Sequence, residues 1–156
     1  MSVRPDTLPT PRPSGVLRVA ATAAFAVGCA HTALEPGHAT VIPAQNARLV
    51  AKQCSRPDPP AFDEAWEPSP AQIEELEKKL PSLGRIPDIA SSWRQYVGIV
   101  VGGKKLIYVN GFSTQPPLEH WKTEPVIMCD GGQAAWGVLY DPVKRTFSEL
   151  AFNGMR

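Results

Sequence analysis

The chain is poor in the residues that usually carry chemistry. It has 3 cysteines and 3 histidines in 156 residues, and no CxxC pair or His/Cys cluster with metal-ligand spacing. No GxSxG and no HExxH motif is present, so no hydrolase or metalloprotease signature is legible. Charge of one sign is also missing: 16 Lys+Arg stand against 15 Asp+Glu. That balance gives no electrostatic case for nucleic acid or for an acidic substrate. No apolar run reaches the roughly 20 residues that a transmembrane helix needs. The length suits a single domain with a modest core. What the sequence has in excess is proline, 17 residues against 12 glycines.

Many of those prolines sit at the start. Met1–Arg18 is polar, with Pro5, Pro9, Pro11 and Pro13, and carries Arg4, Arg12 and Arg18 against one acid, Asp6. An uncharged run from Val19 to Val27 follows. A basic lead before a short apolar run predicts a secretory signal peptide over residues 1–28. The run ends Ala26-Val27-Gly28-Cys29. Small residues before a cysteine at the end of an apolar run resemble the lipobox of bacterial lipoproteins, with Ala26 where that family usually has Leu. The resemblance implies that Cys29 is the lipidated first residue of the mature chain and attaches it to a membrane. It also implies, through Ala30 rather than Asp after the cysteine, the outer membrane of a bacterial envelope, with the body facing the periplasm. Losing the leader removes three arginines and one aspartate, which turns a slight positive excess into a slight negative one.

Acylation of Cys29 would leave an even pair, Cys54 and Cys129. In an oxidising compartment these two are expected to form one disulfide. Closing a loop of about 75 residues is worth about 4 kcal/mol in the chain-entropy model.

Residues 29–41 read as a tether, with His31 and His38 as solvated linker histidines, and 42–156 as one domain. Ser55–Pro70 holds Pro57, Pro59, Pro60, Pro68 and Pro70 and is expected to be irregular, with Phe62 and Trp66 as anchors. Ser69-Pro70-Ala71-Gln72 is a capping box, and Ile73, Leu76 and Leu80 form one apolar stripe on a helix ending at Pro81. Beyond it the period shortens. Tyr96–Val101 and Lys105–Phe112 around Gly102-Gly103 predict a tight hairpin. Val126–Cys129, Ala134–Tyr140 and Thr146–Phe152 read as further strands, with Gly131-Gly132 as a turn or a bulge. The expected fold is α+β: one amphipathic helix packed on a four- to five-stranded antiparallel meander. Its general likeness is to small envelope lipoproteins of Gram-negative bacteria.

The long connection Ser113–Glu124 carries the residues nominated for function. Trp121, with His120 and Phe112, would offer an aromatic surface to a protein, glycan or lipid partner. The favoured reading is a non-catalytic binding module on a membrane anchor, with no metal, no cofactor and no nucleic-acid partner. The alternative is a small hydrolase using His120 as general base with a neighbouring acid such as Asp130. A purely structural spacer of the envelope is a third reading.

Overall fold

A computed structural model describes Met1, residues 37–113 and residues 119–154. Beyond Met1, the leader to residue 28, Cys29, His31 and the tether up to residue 36 lie outside the described residues, as does the part of the long connection at 114–118. The chain divides into two units, Met1–Ala30 and His31–Arg156, and every element below belongs to the second.

The long strands follow the period-two pattern. β3 runs Trp93–Val101 and β4 Lys104–Phe112, paired antiparallel from Trp93↔Phe112 to Val101↔Lys104. Gly102 and Gly103 both hold positive φ, 54° and 76°. A two-residue turn of this hand needs that conformation at both positions, and glycine takes it without a Cβ penalty. β5, Ala135–Asp141, pairs with β4, and β6, Thr146–Phe152, pairs with β5, both antiparallel.

Two short strands come from segments with no strand pattern. β1, Ala39–Val41, is the end of the expected tether and pairs parallel with Arg94–Tyr96 of β3. β2, Glu64–Trp66, lies in the proline-rich stretch and pairs antiparallel with Gly98–Val100. Both pair with β3, at different stretches of it, which gives a six-stranded, mostly antiparallel sheet in the order β1-β3-β4-β5-β6 with β2 also paired to β3. The expected meander of four to five strands is therefore right in its hairpins, but the edge is built from segments that sequence periodicity passes over.

The capping box forms as expected. α2 spans Pro70–Lys79, Ser69 Oγ accepts from the Gln72 amide at 3.4 Å, and the Ser69 amide donates to Gln72 Oε1 at 2.9 Å. Pro70 at the first helical position has no N–H to orphan. Lys78 donates to Glu74 at 2.6 Å, whereas Glu75 pairs with Arg145 rather than Lys79. Leu76 and Leu80 are fully buried against Tyr96, Ile107, Val109, Trp136, Val138 and Tyr140. Side chains of this kind contribute about 1.5–3 kcal/mol each on full burial.

The sheet's other face is not open. A second helix, α1 at Ala47–Ala51, buries Ala47, Val50 and Ala51 against Val97, Ile99, Tyr108 and Leu139. The expectation of a single helix is corrected by this packing. α1 is too short to show a helical period, which is why the pattern missed it.

Val126–Cys129 is the other correction: these residues form no strand. Side-chain amides hold their backbone instead. Gln95 Oε1 accepts from the Val126 amide at 2.9 Å, and the Val126 carbonyl accepts from Asn110 at 2.9 Å and Gln53 at 3.3 Å. Two residues on, the Met128 amide donates to Gln53 Oε1 at 3.1 Å, and its carbonyl accepts from Asn153 at 2.7 Å. The buried amides take the place of a neighbouring strand, so the apolar run gains strand-like satisfaction without a ladder.

Candidate functional site

The connection from β4 to β5 lies against the face that α1 covers. Its two halves are fixed differently. Among its described residues the first half holds a 3-10 turn, Glu119–Lys122. Gln95 Nε2 donates to the carbonyls of Trp121 at 2.6 Å and Glu124 at 2.7 Å, Thr40 Oγ1 to that of Lys122 at 3.0 Å, and Asn46 Nδ2 to that of Thr123 at 2.9 Å. The second half is tied by the disulfide. Cys54 and Cys129 are bonded, with Cα atoms 5.1 Å apart and 75 residues between them in sequence. Both cysteines are exposed.

The nominated aromatic surface is not assembled. Trp121 is only 8% exposed and Phe112 1%, so neither presents a face to solvent. Trp121 packs edge-on against Trp93, with ring centroids 5.0 Å apart, and Trp93 stacks on His38 at 3.8 Å. His38 also bonds the Ser91 carbonyl through Nδ1 at 3.1 Å, so this expected linker histidine is part of the body. Phe112 closes the β4–β5 ladder opposite Ala135. Of the three residues proposed for a partner, His120 alone is exposed. Its ring makes no hydrogen bond or ion pair among the described residues. Among the described residues no three His, Cys, Asp or Glu side chains gather as a metal site, and no helix is long and apolar enough to cross a membrane.

The polar interior lies elsewhere, around Arg56. This residue follows Cys54 by two and is 6% exposed. Its Nε and Nη2 donate to the Tyr108 hydroxyl at 3.3 and 2.8 Å, Nη2 also to Asn110 Oδ1 at 2.7 Å, and Nη1 to Asn153 Oδ1 at 3.2 Å. Asn110 in turn donates to Gln95 Oε1 at 3.1 Å. Tyr108 and Asn110 are alternate residues of β4, so the pleat puts both on the face under α1. Burial pushes the guanidinium below its ordinary value, with Tyr108 and Asp58 opposing that shift. Burial raises the Tyr108 phenol, and the neighbouring Arg56 charge pulls it back.

Gly137 makes this approach possible. A Cβ there would stand 2.6 Å from the Tyr108 hydroxyl and 2.9 Å from Arg56 Nε. Beside the guanidinium is a cavity of about 200 Å³, lined by Arg56, Tyr108, Gly137 and Leu139, with Asp58 and Glu149 among its walls. Glu149 holds φ at +56°, where the β5–β6 register slips between Gly137 and Leu139. The extra residue there turns Phe147, Leu150 and Phe152 toward one core and leaves Glu149 exposed at the cavity.

No protein-family model, no curated protein and no solved structure matches this chain. The reading from sequence did not include Arg56. The signal that was available is Gln95 and Asn110, each an amide next to the apolar residues of a β-rich run.

The opposite face carries a second buried guanidinium, Arg94. It has a carboxylate partner, Glu77 Oε1 at 3.1 Å, and also bonds the Tyr96 hydroxyl and the Ser92 carbonyl. Tyr96 donates to the same Glu77 oxygen at 2.7 Å. This cluster ties α2 to β3.

Proposed function

We propose that the chain is an exported envelope lipoprotein, held to a membrane by lipid on Cys29, whose folded body is a non-catalytic binding module. The observation that carries the reading is the Cys54–Cys129 disulfide. Disulfides persist in oxidising compartments such as the bacterial periplasm and are rare in the cytosol. The bond uses both cysteines of the body, so the chain's remaining cysteine is Cys29, at the end of the apolar run. Two or more acyl chains on one residue give stable membrane attachment, whereas one chain gives only marginal binding. Ala30 favours the outer membrane as the destination.

The body supports the binding part of the reading. A side-chain network spanning Gln53, Arg56, Gln95, Asn110 and Asn153 holds two long connections rigidly on the sheet, and such a scaffold can present a fixed site.

The test is labelling with radioactive palmitate followed by membrane fractionation, for wild type and Cys29→Ser. Labelled wild type in the outer-membrane fraction, with an unlabelled variant that is soluble or unprocessed, is the expected result. A processed Cys29→Ser protein that stays in the membrane overturns the anchor.

A further inference from the structure

The cavity beside Arg56 has the composition of a ligand site, and its charges define the ligand. Arg56 is a buried cation, yet none of the ion pairs among the described residues includes it. Its hydrogen-bond partners are a phenol and two neutral amides. A guanidinium has five N–H donors. Those contacts occupy Nε–H, both Nη2 protons and one Nη1 proton, which leaves the second Nη1 proton without a described acceptor. The Tyr108 hydroxyl accepts twice from Arg56, so its own proton is also left to donate. Both are donors without a described acceptor, one of them charged, and a carboxylate is the kind of acceptor that suits them.

The rest of the lining narrows the choice. Asp58 and Glu149 line the same cavity and are exposed. Two negative groups against one positive group disfavour a dianion such as phosphate. They favour a ligand that carries its own cation next to its carboxylate. The apolar walls, Leu139 and Ala151 among them, leave room for a small side chain. A volume near 200 Å³ equals that of about six or seven waters, which matches a compound of amino-acid size. We propose that this cavity binds a small zwitterion of the α-amino-acid type, its carboxylate on Arg56 and Tyr108 and its ammonium at Asp58 and Glu149. The proposal rests on the body being a binding module, and not on the anchor.

The test is calorimetric titration of the full-length, oxidised protein in detergent. The probes are L-alanine, L-valine, acetate, methylammonium and inorganic phosphate. One of the amino acids is expected to bind at least about tenfold more tightly than acetate or methylammonium, with phosphate weakest. Arg56→Gln should abolish that binding. Because Arg56 also supports the fold, a second variant carries the test on its own: Asp58→Asn with Glu149→Gln changes only exposed side chains. In that variant amino-acid affinity should fall about tenfold while acetate affinity holds or rises. No heat from either amino acid, phosphate or acetate binding as tightly as the amino acids, or a rim variant that binds as wild type does would each overturn the site. Failure here with palmitate still on Cys29 removes the ligand and leaves the anchor. Loss of the label with binding intact does the reverse.

Discussion

Trp121 meets Trp93 edge-on, at 5.0 Å between ring centroids and an interplanar angle of 89°. The geometry is favourable for aromatic pairs and adds to the area each ring buries. Trp121 is thereby a plug between the long connection and the end of β3, and not a surface anchor. Trp121→Ala should destabilise the domain by about 3–5 kcal/mol, the range for removing a buried large aromatic. Urea denaturation of the two proteins measures it. A loss below about 1 kcal/mol would mean the indole is not packed as described.

The disulfide should matter on a similar scale. Cys54 and Cys129 close a loop with a sequence separation of 75, for which the chain-entropy model gives about 4 kcal/mol. Both sulfurs belong to exposed residues, so reductant can reach them without unfolding. Melting in the presence and absence of dithiothreitol should show a large drop in Tm on reduction. Cys54→Ala with Cys129→Ala should reproduce that drop and abolish the response to dithiothreitol. Unchanged melting would refute the bond as a stabilising link.

How much of this was legible depended on the range of the interaction. The Ser69–Gln72 box and the Gly102-Gly103 turn are local, and local chemistry is written in adjacent residues. The pairing of Cys54 with Cys129 followed from counting, once Cys29 was set aside. The edge strands β1 and β2 were not legible, because three residues are too few to show alternation. Val126–Cys129 misled for the opposite reason. Its apolar run resembles a strand, but its partners are amides brought from positions 53, 95, 110 and 153. Long-range side-chain bonds of that kind leave no period in the sequence. Arg56, placed among prolines and exposed neighbours, gave no local sign of burial.

The Tyr96–Glu77–Arg94 cluster predicts a loss of stability in alkali. Burial holds the Tyr96 phenol well above its ordinary value, and the Glu77 carboxylate adds to that shift. The folded state thus binds this proton more tightly than the unfolded chain. Its contribution is intact below the unfolded phenol value of about 10 and is lost as pH rises beyond it toward the folded value. The urea midpoint should fall steeply above about pH 10. Tyr96→Phe should be less stable at neutral pH, because Glu77 loses a donor, yet its midpoint should fall less steeply in alkali. An equal slope in both proteins would count against this assignment.

Gly111 fixes the contact between β4 and β5. A Cβ at this position would lie 2.1 Å from Cε2 of Trp136, whose side chain is fully buried. The indole cannot retreat, because Leu76, Leu80 and Val138 belong to the same core. Gly111→Ala should therefore cost about 1–3 kcal/mol or more, as overpacking does. Gly103→Ala, where a Cβ meets nothing within 4 Å, separates crowding from backbone conformation. It should cost only the penalty of a left-handed alanine, about 1–2 kcal/mol. Near-UV circular dichroism should change for Gly111→Ala, where tryptophan packing is disturbed, and not for Gly103→Ala.

Glu149 sits in the left-handed region at the β5–β6 bulge, where glycine is the easier residue. Two effects oppose each other on replacing it. Relief of the left-handed conformation returns about 1–2 kcal/mol. The extra freedom of glycine in the unfolded chain costs about 0.4–1 kcal/mol. The first is larger, so Glu149→Gly should raise stability by up to about 1.5 kcal/mol. Glu149→Val should lower it, because a β-branched side chain fits this conformation worst. The urea midpoints of the three proteins should rank glycine, glutamate, valine. If Glu149→Gly instead loses more than about 1 kcal/mol, the carboxylate itself stabilises the fold. In that case the residue is held in the bulge for its contribution to the fold.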